Sequence, residues 1–369
     1  CYTIANNLPN QLYELVMGGM LVTAFLPVYM SVKRRLGREG ASDYASNLLS
    51  LVTLLMGALT VLAFVFAGQV VWTQSFSATE AFDTDLAIYF FRFFAIQIVL
   101  YALSSVISGV LNAERDYLWS TAAPILNNVV TALSFAGYVV FESTNPQLAI
   151  LILALGGSGA VLVQVLVQVP ALLRHGVRLR LRIDLHDPCI RETLSIGIPT
   201  LAVTLESFVT VSVMNSSALS VAANGASIIY YARLWYMLPY SILAVPITTA
   251  MFTELSDHVA HGDMDACARG VRSGVSKICF MLVPFAMYLI VFSPELVAIL
   301  GAGRFTESDV SLTVAYLQGL ALGLPFYGVN TYLQKVCSSL RRMGLFALAC
   351  TVAGVIQVAF CLALTPVLG

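Results

Sequence analysis

Charged side chains inside apolar stretches are the first residues whose chemistry stands out. Arg92 lies in AIYFFRFFAIQ and Arg233 lies in IIYYARLWYMLPY; each is about two turns into a helix-length stretch. Glu206 lies well inside PTLAVTLESFVTV, and Glu14 lies near the outer end of the stretch that contains LPNQLYELVMGG. An ionised group in mid-bilayer costs about 2.5–3.5 kcal/mol on insertion scales, so each of these residues needs a partner, water or a function.

Two interpretations of the arginines are open. Their long side chains can snorkel, with the guanidinium reaching the membrane interface. Alternatively, Arg92 and Arg233 face a central cavity and bind an anion, because the planar guanidinium can bind phosphate in a bidentate manner. Glu206 is too far inside its stretch to snorkel easily. It either pairs with a polar neighbour or titrates as a proton or coupling-ion site.

Uncharged polar residues in or beside the apolar stretches also have two interpretations. Asn10, Asn127 and Asn215 could line a water-filled path, and Ser216 and Ser217 extend the polar run that Asn215 begins. Buried asparagines in membrane proteins equally often form hydrogen bonds that hold helices together. The sequence alone leaves both interpretations open.

Motifs for catalysis or cofactor binding are missing from the sequence. We find no Ser-His-Asp set, paired carboxylates, Walker motif or dinucleotide glycine pattern. His258 and His261 have HxxH spacing, but nothing else completes a ligand set, so we interpret them as part of a solvated loop. The sequence therefore predicts no enzymatic activity, no cofactor, no metal site and no nucleic-acid partner.

The composition requires that a membrane surround these residues. Of the 369 residues, 59% are hydrophobic and 11% are charged, whereas soluble domains have about 45–50% and about 25%. Lipid favours helices, because each helix satisfies its own backbone donors. We therefore predict an all-α, polytopic transmembrane bundle of about ten helices. Its apolar segments are 11–31, 47–72, 86–112, 119–141, 148–173, 194–221, 228–252, 274–300, 310–337 and 344–366.

The basic residues predict the orientation of these segments. If alternate loops lie on opposite sides, one side has fourteen Lys and Arg residues and the other has only Arg304. The basic side is cytoplasmic by the positive-inside rule. The fourteen residues are Lys33, Arg34, Arg35, Arg38, Arg115, Arg174, Arg178, Arg180, Arg182, Arg191, Arg269, Arg272, Arg341 and Arg342.

A long basic loop divides the ten segments into two sets of five. We predict an N-terminal lobe at 1–173, a cytoplasmic linker at 174–193 and a C-terminal lobe with a following helix at 194–369. In the linker Arg alternates with Leu or Ile, the period of an extended segment, which suits either an anchor on anionic lipid or a hinge. The chain begins at Cys1 and ends after an apolar run, so we expect it to be part of a longer protein.

Several stretches resemble the MurJ/MviN family of lipid II flippases, in the multidrug/oligosaccharidyl-lipid/polysaccharide exporter superfamily. The resemblance covers nearly the whole chain in the family's order and corresponds to helices two to eleven of fourteen. The stretches are LPNQLYELVMGGMLVTAFLPVY, SGVLNAERDYLWSTAAPILNN, RIDLHDP, YYARLWYMLPYSILAVPITTAMFTELS and GRFTESD.

The resemblance implies two lobes around a central cavity that alternates between inward-open and outward-open forms. It implies transport of lipid II, an undecaprenyl-pyrophosphate-linked glycopeptide, across the bacterial plasma membrane for peptidoglycan synthesis. Besides lipid II, the implied partners are membrane lipids and other proteins of cell-wall synthesis. Cationic residues of the cavity would bind the pyrophosphate, and the polar, anionic head group could not cross a hydrocarbon core unaided.

The cationic pocket of the family is only partly present in this sequence. Arg92 matches a basic position of the family's fourth helix, and Arg233 is displaced by one position from the family's Arg. Tyr13, followed by Glu14, stands where many members have Arg. Three functions stay open: a lipid II flippase, a related exporter of another lipid-linked glycan or a drug, and a non-transporting scaffold for the cell-wall machinery.

Overall fold

A computed structural model describes residues 1–18, 25–175, 180–184, 186–260, 263–300, 306–340 and 342–368. This described part is helical and contains no strand, which confirms the predicted all-α class. Two π-helical turns, Glu14–Gly18 and Tyr240–Ala244, interrupt the α-helices. The helices are α1 Tyr2–Tyr13, α2 Leu26–Val65, α3 Ala67–Trp72, α4 Thr84–Phe94, α5 Gln97–Ala113, α6 Tyr117–Phe141, α7 Pro146–Arg174, α8 Pro188–Val221, α9 Gly225–Pro239, α10 Val245–Ala260, α11 Met264–Leu300, α12 Glu307–Ser339 and α13 Met343–Leu368.

Most of the predicted membrane segments have a matching helix. Among the described residues seven helical stretches are long and apolar enough to cross a bilayer, and the bent pair α4–α5 makes an eighth. Of the other two predicted segments, 11–31 is only partly described, and 194–221 lies within α8. Large apolar side chains remain exposed on the helices, for example Val139 at 70% and Phe280 at 75%. Such surfaces require a lipid environment.

The basic turn between the first two predicted segments lies inside α2. Gly37 has φ 72° and ψ −164°, so the helix is interrupted there. A positive φ favours glycine because glycine has no Cβ to clash with the backbone. Arg35 and Arg38 are exposed beside this turn. The sequence therefore places a sharp turn among the basic residues that we predict to be cytoplasmic.

The predicted membrane segment at 86–112 is helical, but it is bent and not one straight helix. The pair α4–α5 is bent by 40° across residues 95–96. Near the bend the Ser158 hydroxyl of α7 donates a hydrogen bond of 2.7 Å to the carbonyl of Phe93. Within lipid a backbone carbonyl at a helix break needs a partner from the protein. A residue that lies far away in the sequence thus supports the bend.

The described chain divides into two compact units. Unit 1 comprises Cys1–Phe76 and Glu80–Met214, and unit 2 comprises Ser77–Thr79 and Asn215–Gly369. The division falls within α8. The lobe boundaries at 173 and 194 remain a prediction.

Small residues permit close helix packing in unit 1. Helices α6 and α7 form an extensive interface, as do α2 and α5. A Cβ added to Gly156 of α7 would lie only 2.2 Å from the Ser134 Cβ of α6, so glycine is required at that contact. Close backbone approach of this kind is typical of membrane helices, which pack through van der Waals contact and interhelical hydrogen bonds.

Unit 2 has its own core, to which α9, α10, α11 and α12 contribute. The Tyr332 side chain of α12 is fully buried, and its hydroxyl donates to the Gly270 carbonyl of α11 at 3.2 Å. Apolar side chains that are buried with it include Leu255, Ile278, Leu282 and Leu324. Helix α13 contacts α12 at the edge of this core.

The described part of the predicted linker, 180–184, is attached to α2 by its backbone. The N–H groups of Arg180 and Arg182 donate to the hydroxyls of Ser46 and Ser50, each at 3.2 Å. The fully buried Asn47 amide accepts from the Asp184 N–H and donates to the Asp184 carbonyl, both at 2.9 Å. Alternate backbone N–H groups therefore face α2, as expected for an extended segment.

We expect Asn47→Ala to release this segment from α2. The substitution leaves the Asp184 N–H and carbonyl without their amide partner, which costs about 1–3 kcal/mol. Hydrogen exchange measured by mass spectrometry should show faster exchange in residues 180–184. The exposed Asn128→Ala should leave their exchange unchanged, and unchanged exchange in Asn47→Ala as well would contradict the attachment.

Candidate functional site

A chain of hydrogen-bonded polar side chains runs between the apolar helices of unit 1. We call it the polar seam. The Asn127 amide of α6 donates to the Gln164 Oε1 of α7 at 2.6 Å, and the Gln164 amide donates to the Ser104 hydroxyl of α5 at 3.0 Å. Buried Gln168 donates to Ser104 at 2.8 Å. The members of the seam are Tyr13, Tyr101, Ser104, Ser105, Ser108, Asn127, Gln164 and Gln168.

The seam includes two of the residues that the sequence analysis proposed for the cavity. Tyr13 lies beside Ser105, and its ring centroid lies 6.2 Å from that of Tyr101. Tyr101 in turn lies beside Asn127, so the two tyrosines flank the hydrogen-bonded part of the seam. Both Tyr13 and Asn127 thus contribute to the internal packing of unit 1, and their role in lining a cavity remains a prediction. Sequence reasoning missed Gln164 and Gln168, although their spacing of four residues inside an apolar run was a usable signal.

Asn10 and Glu14 form a second polar pair at the end of α1. The Asn10 amide donates to Glu14 Oε1 at 3.0 Å, and Glu14 begins the π-helical turn with its side chain exposed. The interpretation of Glu14 as lying near the outer end of its membrane segment remains a prediction. The helix is already formed at Tyr2, so Glu14 lies about 18 Å further along it at 1.5 Å per residue. The Cys1 thiol lies 3.1 Å from the Asp83 carbonyl at the start of α4.

Arg92 lies in the last turn of α4, on its exposed face. A helix ends with unpaired carbonyls and a partial negative charge, which a cation in the last turn stabilises. Arg92 forms no ion pair with a described carboxylate. The Arg92 charge therefore stabilises the C-terminal end of α4, and no described carboxylate neutralises its guanidinium.

Arg233 is exposed on α9 in unit 2, beside a group of tyrosines. The ring of Tyr327 lies 5.7 Å from that of Tyr236 and 4.8 Å from that of Tyr240. Arg233 lies close enough to Tyr236 and Tyr327 for its charge to act on their hydroxyls. A guanidinium together with phenolic O–H donors is a suitable environment for an oxyanion. Arg92 belongs to the other unit, and a shared role of the two arginines remains a prediction.

Glu206 and Asn215, the remaining predicted site residues, both lie on α8. The Thr210 hydroxyl donates to Glu206 Oε1 at 3.0 Å, which provides the polar neighbour that one of the two interpretations required. Asn215 is buried. The adjacent Ser216 hydroxyl accepts from the Ser77 N–H at 2.7 Å. This part of the polar run therefore attaches the segment Ser77–Thr79 to the end of α8.

A charged cluster on the cytoplasmic side was not singled out from the sequence. Glu114, which caps the C-terminus of α5, accepts hydrogen bonds from Lys33 at 2.7 Å and from the Tyr29 hydroxyl at 3.0 Å. Burial of the Glu114 carboxyl alone would raise its pKa. The hydrogen bonds from Lys33 and Tyr29 and the charges of Lys33 and His175 outweigh burial, so the pKa lies below its ordinary value. His175 also lies 2.9 Å from Asp116.

The histidine motif contributes only one described residue. His258 Nε2 lies 3.8 Å from Glu254 Oε1, one helical turn away. His261 lies outside the described residues. Within the residues that are described, no group of three His, Cys, Asp or Glu side chains could hold a metal ion.

Comparison with known proteins relates this arrangement to transporters. A solved structure of "Lipid II flippase MurJ, inward closed conformation" matches with a TM-score of 0.79 and 17% identity, covering 98% of this chain and 74% of that one. An inward-facing multidrug resistance MATE family transporter of the MOP superfamily matches with a TM-score of 0.77 and 15% identity, covering 97% and 82%. The chain therefore shares the fold of these two solved structures.

Sequence comparison identifies the family. The family model "Lipid II flippase MurJ" matches residues 1–369, so the chain belongs to the MurJ family. A probable lipid II flippase MurJ of Borreliella burgdorferi is 21% identical over 91% of this chain and 65% of its own length. The probable lipid II flippase MurJ of Vibrio cholerae is 26% identical over 86% of this chain and 62% of its own length. The chain spans less than two thirds of the length of these relatives, and it is a multi-pass protein of the bacterial plasma membrane.

We expect the contribution of Glu114 to stability to depend on pH. Because its pKa is lowered by folding, the stabilisation is complete above the ordinary value of 4.5 and is lost as the pH falls through the lower folded value. Glu114→Gln should therefore destabilise the protein at pH 7, by roughly 1.5–3 kcal/mol for hydrogen bonds to a charged group. Thermal unfolding in detergent should show a smaller difference at pH 4, and an equal difference at both pH values would contradict this account.

A second prediction concerns the polar seam. Asn127→Ala removes the hydrogen bond to Gln164 and should lower the free energy of unfolding by about 0.6–2 kcal/mol, the range for interhelical hydrogen bonds in membranes. Unfolding equilibria in detergent measure this change. The neighbouring, exposed Asn128→Ala is the matched control and should cost less. Equal effects of the two substitutions would show that the seam does not hold α6 to α7.

Proposed function

We propose that the full-length protein moves lipid II across the bacterial plasma membrane by alternating access, for peptidoglycan synthesis. The observation that carries the proposal is the match of the MurJ family model to residues 1–369. Lipid II needs a protein to cross the membrane, because its polar head group with a pyrophosphate cannot enter hydrocarbon without a large desolvation cost. A protein path that replaces the water around the anion removes that barrier.

Arg92 and Arg233 would bind the pyrophosphate in this mechanism. Both side chains are exposed about two turns into an apolar segment, and neither is paired with a described carboxylate. An exposed, unpaired guanidinium at such a depth is costly unless water or an anion reaches it. The hydroxyls of Tyr236 and Tyr327 near Arg233 add donors that suit phosphate oxygens.

The remaining polar candidates would complete a hydrated path within the protein. Glu14, Asn10 and Glu206 would face this path. Asn10 donates to Glu14 and Thr210 donates to Glu206, and each carboxylate has further acceptor capacity for water or a polar substrate. Asn215, Asn127 and Tyr13 would mark its borders with the packed helices. We assign no enzymatic step to any of these residues: transport needs only binding and a change of access.

Transport of a different cargo is the second candidate. The match to the MATE transporter is nearly as close in fold as that to the flippase, with TM-scores of 0.77 and 0.79. An exposed carboxylate at Glu14, far along its helix, would suit a cationic drug better than a pyrophosphate. Binding of an anionic rather than a cationic substrate separates the two candidates.

The test of the proposal is rescue of a depleted host. After depletion of the full-length protein, lipid II accessible at the outer face of the membrane should fall, and the wild type should restore it. Arg92→Ala and Arg233→Ala should each restore it at least about ten-fold less well, the loss expected for about 1.4 kcal/mol of anion binding.

Two matched variants make the result specific. Arg92→Lys keeps the positive charge but lacks the planar guanidinium that binds phosphate in a bidentate manner, so it should restore lipid II accessibility only in part. The cytoplasmic, exposed Arg191→Ala should rescue fully. Unchanged accessibility after depletion, in a host without another flippase, would exclude lipid II as the substrate. Full rescue by both alanine variants would exclude the two arginines as the anion site and leave the substrate assignment intact.

A further inference from the structure

A groove runs along one face of α2 in unit 1, beside the attached segment 180–184. Its volume is about 600 Å³. The α2 residues that line it recur every three or four positions, so they occupy a single helix face over about four turns. They are Ser46, Leu49, Ser50, Thr53, Leu54, Gly57, Ala58 and Val61, and the segment contributes Arg180, Leu181 and Ile183.

The polarity of the groove changes from one end to the other. The end near the basic turn of α2 carries the hydroxyls of Ser46 and Ser50 and the side chain of Arg180. Further along α2 the lining is Leu54, Gly57 and other apolar residues. A polar, cationic end at the cytoplasmic interface and an apolar end in the membrane match a phospholipid, whose head group and acyl chain have the same order.

Arg180 is free to bind an anion, whereas its neighbour in the same segment is not. The Arg182 guanidinium pairs with Asp43 at 3.1 Å. The Arg180 side chain is exposed and has no described carboxylate partner. Its backbone N–H is bound to the Ser46 hydroxyl, which fixes the residue at the mouth of the groove. The Arg180 backbone is thus held beside the polar end of the groove.

The length of the groove suits a phospholipid in one leaflet. The lining from residue 46 to residue 61 extends about 22 Å along the helix, and its apolar part at 54–61 extends about 10 Å, within the roughly 15 Å that one leaflet contributes to a 30 Å hydrocarbon core. Leu181 is 89% exposed and Ile183 is 54% exposed at the edge of this groove. Covering such side chains with hydrocarbon is favourable.

We propose that this groove binds one anionic phospholipid of the cytoplasmic leaflet, with its phosphate on Arg180 and one acyl chain along residues 54–61. Basic residues at the cytoplasmic side of membrane helices favour anionic lipids electrostatically. The bound lipid covers Leu181 and Ile183 and extends the attachment of the segment to α2. This lipid is a resident of the transporter and not its cargo.

The test is native mass spectrometry of the full-length protein with phosphatidylglycerol or phosphatidylethanolamine of identical chains. The wild type should retain one phosphatidylglycerol in preference to phosphatidylethanolamine. Arg180→Gln should lower the retention of phosphatidylglycerol about five-fold, the effect of one basic residue at a membrane surface, and leave phosphatidylethanolamine unchanged. The exposed Arg191→Gln is the matched control and should change neither.

A second variant tests the acyl-chain part of the groove independently. A Cβ at Gly57 would meet no atom within 4 Å, so Gly57→Leu fits the fold and fills the groove. It should abolish retention of both lipids at this site. Gly159→Leu in α7, where a Cβ likewise meets nothing within 4 Å, should leave retention unchanged.

Three results would overturn the proposal. The first is retention of phosphatidylglycerol that neither Arg180→Gln nor Gly57→Leu alters. The second is an equal loss in Arg180→Gln and the Arg191→Gln control. The third is displacement of phosphatidylglycerol by undecaprenyl pyrophosphate in the wild type but not in Gly57→Leu. This result would assign the groove to the chain of the transported lipid.

Discussion

The cost of placing a polar group in hydrocarbon is the constraint on which this structure depends. An unsatisfied backbone or side-chain group inside the bilayer costs several kcal/mol, so each irregularity must bring its own partner. At the break after α4, the Ser158 hydroxyl donates a hydrogen bond to the Phe93 carbonyl. At the π-helical turn Glu14–Gly18, the Thr204 hydroxyl of α8 donates a hydrogen bond of 3.1 Å to the Leu15 carbonyl. Bends in these helices are therefore fixed by specific side chains of neighbouring helices.

The same constraint separates the polar residues into two kinds. Those of the polar seam satisfy one another, so Asn127, Gln164 and Gln168 stabilise the contacts between helices. Arg92 and Arg233 have exposed guanidinium groups without a described carboxylate partner. These guanidinium groups need water, a lipid phosphate or substrate as a hydrogen-bonding partner. This contrast is the physical reason for placing anion binding at the arginines and not at the asparagines.

Composition and charge predicted the all-α class and the positions of most membrane segments, because both depend on the local sequence. The bend at residues 95–96 could not be predicted in this way, since Ser158 lies 65 positions from Phe93 in the chain. The Glu114 cluster was missed for the same reason: Lys33 is 81 positions away. The sequence identified Arg92 and Arg233 as candidates for anion binding, and their role in binding one pyrophosphate remains a prediction.

The most direct test of the central claim is transport by the purified full-length protein in sealed liposomes. Lipid II confined to the inner leaflet would be detected at the outer leaflet by an impermeant enzyme that modifies its head group. The account predicts a protein-dependent appearance of lipid II outside, at a rate well above that of protein-free liposomes. Equal rates with and without correctly folded protein would contradict the proposed flipping.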